Sequence, residues 1–268
     1  MLAQEKKKTN YLVSINNIND IEKYKKVGIS TFLFALKDFS IGYEKSFTID
    51  EINNIGEKKY VLINKLLDTK EIEKLKSIIN TIKCEGFIFE DVGLINNIDD
   101  KYDKILFMNH FNTNSLTINT WLKYVNSVVL SSELTFDEYK EILSKVNESV
   151  VLNVFGYNQI MYSKRSLITN YNKHFNQDNT NNNVIKDQNS NLKFKILEDN
   201  NETIVLSDKI FNGSRLFDLD NVKYFMFNTS YIKIDDVIKF IETNNILNSD
   251  EGFLDKPSFY KLKGGVKW

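Results

Sequence analysis

One cysteine, one proline and two histidines in 268 residues exclude a good deal of chemistry. Cys84 alone cannot form an intrachain disulfide or anchor a multi-cysteine zinc or iron–sulfur site. It closes a helical run before Gly86, where a structural thiol is the ordinary outcome. His110 and His174 are too few for a histidine-rich metal site, so no metal ligands are expected. No apolar run approaches the length of a membrane-spanning helix, and the lysine-bearing start MLAQEKKKTNYLVSI lacks a signal peptide's apolar region. These absences predict a cytoplasmic protein with no membrane partner. A net charge of -1 and a pI near 6.2 exclude a generally basic nucleic-acid coat and leave room for a local basic patch.

What is present is globular: 42% hydrophobic and 26% charged residues exclude a disordered chain. Short β-branched or aromatic runs at 11–15, 31–36, 60–63, 86–89, 105–108, 127–130, 150–155 and 224–227 alternate with segments of helical period. The helical segments cover 18–27, 48–55, 69–82, a short turn at 94–95, a stretch from 114 or 115 that carries Trp121, 136–146 and 234–241. Asp68 is placed to cap the third helix. Eight near-continuously apolar strands joined by helices predict a (β/α)8 TIM-like barrel spanning 1–268 as one domain. An open doubly wound sheet fits less well, because no glycine-rich dinucleotide turn follows the first strand. An insertion over 176–212 separates the seventh and eighth barrel strands. Its first part, 176–191, is a polar run expected to be mobile, and its second part, 193–206, reads as a β-hairpin turning at Asp199-Asn200-Asn201.

In such a barrel the residues just past each strand converge on one rim. They include Lys37-Asp38, Asn64-Lys65, Glu90-Asp91, Asn109-His110, Ser131-Ser132-Glu133 and Asn228-Thr229. Glu90 and Asp91 either work as acid and base or cap the short helix that follows. His110 is the general acid–base candidate by residue type, or a structural histidine; Glu133 is a rim carboxylate able to hold a cation. The seventh strand leads through Gly156 into Tyr162, Ser163, Lys164, Arg165, Asn170 and Tyr171, read either as a ligand-binding turn or as a helix with a solvated cationic face. Arg165 offers a planar donor fork for phosphate or carboxylate, and Lys164 a mobile charge. If these groups share one cup, Arg165 lies on the same side of the barrel as Glu90 and Glu133. There is no serine or cysteine nucleophile elbow and no HExxH helix.

Several blocks together resemble the collagenase-like peptidase family of unknown catalytic type, which includes bacterial tRNA wobble-uridine hydroxylation proteins. They are Leu36-Lys37-Asp38-Phe39-Ser40, Phe89-Glu90-Asp91-Val92-Gly93, Val129-Leu130-Ser131-Ser132-Glu133-Leu134, the stretch from Gly156 to Tyr171, Leu206-Ser207-Asp208-Lys209 and Gly252-Phe253-Leu254-Asp255-Lys256. Cluster-bearing members of that family place cysteines where Gln159 and Ser166 stand here, and no cysteine follows. The resemblance therefore implies no iron–sulfur cofactor in this chain. The Ser163-Lys164-Arg165 run is similar to a cysteine-poor branch that occurs with a cysteine-bearing paralogue. What it implies is a part in tRNA wobble-uridine hydroxylation, alone or in a hetero-oligomer with that paralogue, with tRNA as partner. The alternatives are a non-catalytic ligand- or RNA-binding subunit, and a collagenase-like peptidase.

Overall fold

The computed structural model describes residues 10–147, 149–177, 184–186, 188–189, 192–199 and 201–256. Most of the polar run at 176–191, and the first nine residues, lie outside the described residues. The strands are β1 (Tyr11–Ser14), β2 (Thr31–Ala35), β3 (Lys58–Ile63), β4 (Gly86–Phe89), β5 (Asp103–Phe107), β6 (Ser127–Val129), β7 (Val150–Ser163), β8 (Val184–Lys186), β9 (Lys193–Asp199), β10 (Glu202–Asn212), β11 (Val222–Phe227) and β12 (Ser249–Asp250). Strands β1 to β7 pair in parallel in chain order, and β11 pairs in parallel with both β7 and β1, which closes an eight-stranded barrel.

Alternation along each strand divides the apolar residues between two cores. Leu12, Leu33, Leu62, Ile88, Val151 and Met226 are among those that fill the barrel interior. Val13, Phe34, Val61, Phe87, Leu106 and Leu152 point outward into the layer covered by the helices. Both faces are buried, which is why the strands read as unbroken apolar runs. Helices α1 (Ile21–Lys26), α2 (Ile49–Asn53), α3 (Thr69–Ile78), α4 (Ser115–Trp121), α5 (Phe136–Leu143), α6 (Leu167–His174) and α7 (Ile234–Thr243) fall between the strands. Reciprocal capping boxes start three of them, through Thr48 with Glu51, Asp68 with Glu71 and Thr135 with Glu138. No helix among the described residues is long and apolar enough to cross a membrane.

The seventh strand does not stop at Gly156. It continues to Ser163, so that Tyr162 and Ser163 extend it, while Asn170 and Tyr171 fall on helix α6. Gly156 has φ +120, and a Cβ there would lie 2.1 Å from the Asn228 carbonyl oxygen. Only glycine lets the strand bend this close to the end of β11 as it leaves the barrel. Beyond the bend, β7 pairs antiparallel with β10 as far as Ser163 with Thr203. Strand β10 in turn pairs with β9, which makes the expected hairpin, and β9 pairs with β8. The β7 extension crosses the barrel end towards the opposite strand, because the Tyr162 hydroxyl accepts the Leu66 N–H, just past β3, at 3.3 Å. The four strands β7–β10–β9–β8 thus form a roof over the C-terminal mouth. Helix α6 follows after a bend at Lys164 and Arg165.

Candidate active site beneath and beside the roof

Two-residue alternation carries past the strand ends and decides which rim residues face inward. Asn64, Glu90, Asn109, Asn153 and Asn228 each sit two residues beyond an interior position, namely Leu62, Ile88, Phe107, Val151 and Met226. Four of these asparagines line a narrow cavity of about 30 Å³ with Tyr43, Tyr157, Asn158, Gln159 and the roof residues Ile204 and Leu206. Asn64 is fully engaged: its Oδ1 accepts the Ile41 N–H at 2.9 Å and its Nδ2 donates to the Ile41 carbonyl at 3.0 Å. Asn153 donates to Asn158 Oδ1 at 3.0 Å, while its own buried Oδ1 has no protein partner.

Glu90 is partly exposed as a residue, but its Oε1 is sealed from solvent and has no protein partner. Burial pushes its pKa up to about 8, so at neutral pH it keeps its proton. Once it ionises at higher pH, its charge reaches Tyr43 and Tyr162, whose phenols are raised chiefly by their own burial. Asp91, one residue on, points the other way. Its Oδ2 accepts the Leu67 N–H at 2.9 Å and its Oδ1 the Gly93 N–H at 2.8 Å, so both oxygens serve as a backbone cap.

His110 and Glu133 meet on the neighbouring part of the rim, past β5 and β6. His110 Nδ1 lies 2.9 Å from Glu133 Oε1, and the Asn109 amide nitrogen lies 3.4 Å from Nε2. A carboxylate can only accept, so Nδ1 carries the proton and Nε2 presents its lone pair. The Asn109 amide also donates to the Gln159 carbonyl at 3.0 Å, which ties this pair to the roof. Glu133 lines a groove of about 420 Å³ between the loop after β6, the middle of β7, the hairpin and the segment around β12. Phe194, Phe253 and Ile160 give that groove apolar faces; Asn158 and Gln159 line both the groove and the narrow mouth.

The remaining residues singled out in the sequence lie at the same end of the barrel but in a separate group. Tyr162 donates its hydroxyl to Glu202 Oε1 at 2.7 Å, and Glu202 Oε2 lies 3.2 Å from Lys65 Nζ in an almost fully buried ion pair. Ser163 ends β7, and Lys164 reaches Glu71 on α3 at 3.8 Å. The exposed Arg165 guanidinium has no hydrogen bond or ion pair among the described residues. Asn170 and Tyr171 are exposed on α6, where Tyr171 packs on Phe175 at 4.7 Å between centroids. Arg165 therefore shares the C-terminal side with Glu90 and Glu133, but the roof divides what the sequence suggested as a single cup. Lys65 was named only as a strand-end residue, and Tyr43, Asn153, Asn158, Lys195 and Glu202 were not named as candidates. Only Asn153 carried a sequence signal, as an amide inside an apolar strand.

The model of peptidase family U32 matches residues 16–245. The chain belongs to peptidase family U32. Among solved structures it is similar to the U32 peptidase Mk0906, at 9% identity with a TM-score of 0.46 over 56% of this chain and 70% of that one. It is also similar to the Bacillus cereus spore cortex-lytic enzyme SleL, at 10% identity with a TM-score of 0.43 over 89% of this chain and 75% of that one. No curated protein matches.

The chain's own donors do not fit an iron–sulfur cluster. Gln159 and Ser166 supply no thiolate, and Ser166 Oγ is engaged with Asn201 Oδ1 at 3.1 Å. Cys84 precedes β4, at the opposite end of the barrel from the rim, and burial pushes its thiol up to about 12.

Proposed function

We propose that this U32-family chain holds the wobble uridine of a tRNA for hydroxylation, acting alone or with a cysteine-bearing paralogue. The observation that carries the reading is the groove of about 420 Å³, which sets the aromatic faces of Phe194 and Phe253 beside the amides of Asn158 and Gln159. RNA-binding sites recognise single-stranded bases by stacking and by hydrogen bonds to the pairing edge. Uracil presents an N–H between two carbonyls, and a primary amide offers both the acceptor and the donors to match. The His110–Glu133 pair stands at the groove's edge, which Glu133 lines, and Nε2, held only by a long 3.4 Å contact with the Asn109 amide, is the atom that takes a proton from the base or its adduct. Lys164 and Arg165, exposed on the edge of the roof, suit phosphates of the surrounding strand.

The peptidase reading has less support from the geometry. His110 bonds to Glu133 and Asn109 and to no hydroxyl or thiol, so no nucleophile is activated there. Glu90, neutral at pH 7, is a poor base for activating water.

Nucleoside mass spectrometry on bulk tRNA from a deletion strain tests the proposal. Deletion should remove 5-hydroxyuridine-derived nucleosides, and a His110→Ala copy should fail to restore them. An unchanged nucleoside profile contradicts the proposal. Restoration by His110→Ala together with failure of a Gln159→Leu copy would instead make the chain a binding subunit.

A further inference from the structure

We propose that the narrow mouth beneath the roof is a second ligand site, separate from the groove, and that it takes a phosphate group with Lys195 as its cation. Successive residues of β9 face opposite ways: Phe194 lines the groove, while Lys195 pairs across the hairpin with Leu206, which lines the mouth. The Lys195 Nζ lies 3.9 Å from the centroid of the Tyr157 ring and 5.1 Å from that of Tyr231. It makes no ion pair among the described residues. Glu44 acts on it from a distance, and that carboxylate accepts the Tyr231 N–H at 2.9 Å.

A half-buried ammonium with only aromatic faces for company is costly, and burial pushes its pKa down. Tyr231 adds a second cost, since this bulky residue is held at φ +64. Strain of that kind persists where the surroundings fix it, and ligand clamps are one such place. The mouth, which Tyr157 also lines, holds Asn153 Oδ1, buried and without a protein partner, and the unpartnered Glu90 Oε1 lies at the same end of the barrel. A cation stacked on one lining residue, Tyr157, and an unmet acceptor on another, Asn153, call for a ligand that is an oxyanion and also a donor. Hydrogen phosphate or a phosphate monoester meets that description, whereas a carboxylate brings acceptors only. With Glu90 neutral, no negative charge from its carboxyl opposes the anion. The present cavity of about 30 Å³ holds a water or two, so the phosphate enters as the roof side chains give way.

Calorimetric titration and thermal melting of the full chain with inorganic phosphate, uridine 5′-monophosphate and acetate test the assignment. Wild-type protein should show saturable binding and stabilisation with phosphate, with the nucleotide, or with both, and little with acetate. Lys195→Met should weaken that binding by about tenfold or more, while Lys195→Arg keeps most of it. Tighter binding of the nucleotide that is lost in Lys195→Met identifies a nucleotide phosphate as the source, and binding of inorganic phosphate alone identifies the free ion. An equal phosphate response in Lys195→Met, an acetate response as strong as that of phosphate, or no saturable response in wild type overturns the proposal. A failure here leaves the groove reading intact, because neither Lys195 variant changes Phe194, Gln159 or the His110–Glu133 pair, and nucleotide that binds wild type and Lys195→Met equally is held by the groove alone.

Discussion

Glu90 and Asp91 are neighbours with the same chemistry and opposite fates, and the difference is the direction in which each side chain points. Glu90 continues the inward row of Ile88 into a sealed space; Asp91 continues the outward row of Phe89 and caps backbone N–H groups. The sequence presented them as a pair. The two-residue period that separates them was legible in it, but their partners were not. For Glu90 the consequence is a pH dependence of stability. Its folded pKa is raised, so between the unfolded carboxyl value near 4.3 and about 8 the native state binds more protons than the unfolded state. Stability falls as pH rises through that window. Glu90→Gln should flatten the fall and raise stability at pH 8 by on the order of a few kcal/mol. Urea denaturation at several pH values measures this, and parallel curves for the two proteins would mean that Glu90 titrates normally.

At the scale of elements, the eight barrel strands could be read in order because each is buried on both faces and so stays apolar throughout. The roof could not be read that way. Between Tyr157 and Ser163 no residue of strand β7 is fully buried, and Ile160 and Met161 are exposed, so the stretch looked too polar for a strand. Its partners Glu202 and Lys65 lie far apart in the chain, and no local pattern links them. What holds the hairpin of the roof down is the buried Lys65–Glu202 pair, with Tyr162 donating to the same carboxylate. Glu202→Ala leaves the almost fully buried Lys65 ammonium with only the exposed Asp199 carboxylate, 4.0 Å away, a loss of about 3 kcal/mol. Amide hydrogen exchange should then quicken in β9 and β10 and stay slow in β1 to β4. Unchanged protection of the hairpin would show that the pair does not secure the roof.

At the scale of the whole molecule, closure of β11 onto β1 gathers the strand-end residues at one end, as the count of eight strands predicts. The β7 extension then partitions that end into a narrow amide-lined mouth and an open groove with a histidine–carboxylate pair on its edge. The split depends on a 14-residue strand bending at one glycine, which the sequence marked without showing which way the chain went. The account's central claim is that the groove reads a uridine. The most direct measurement is fluorescence anisotropy with tRNA anticodon stem-loops that differ only in uridine or cytidine at the wobble position. Wild-type protein should bind the uridine loop about tenfold more tightly, and Gln159→Leu should abolish that preference. Equal affinity of the wild-type protein for both loops would contradict the account.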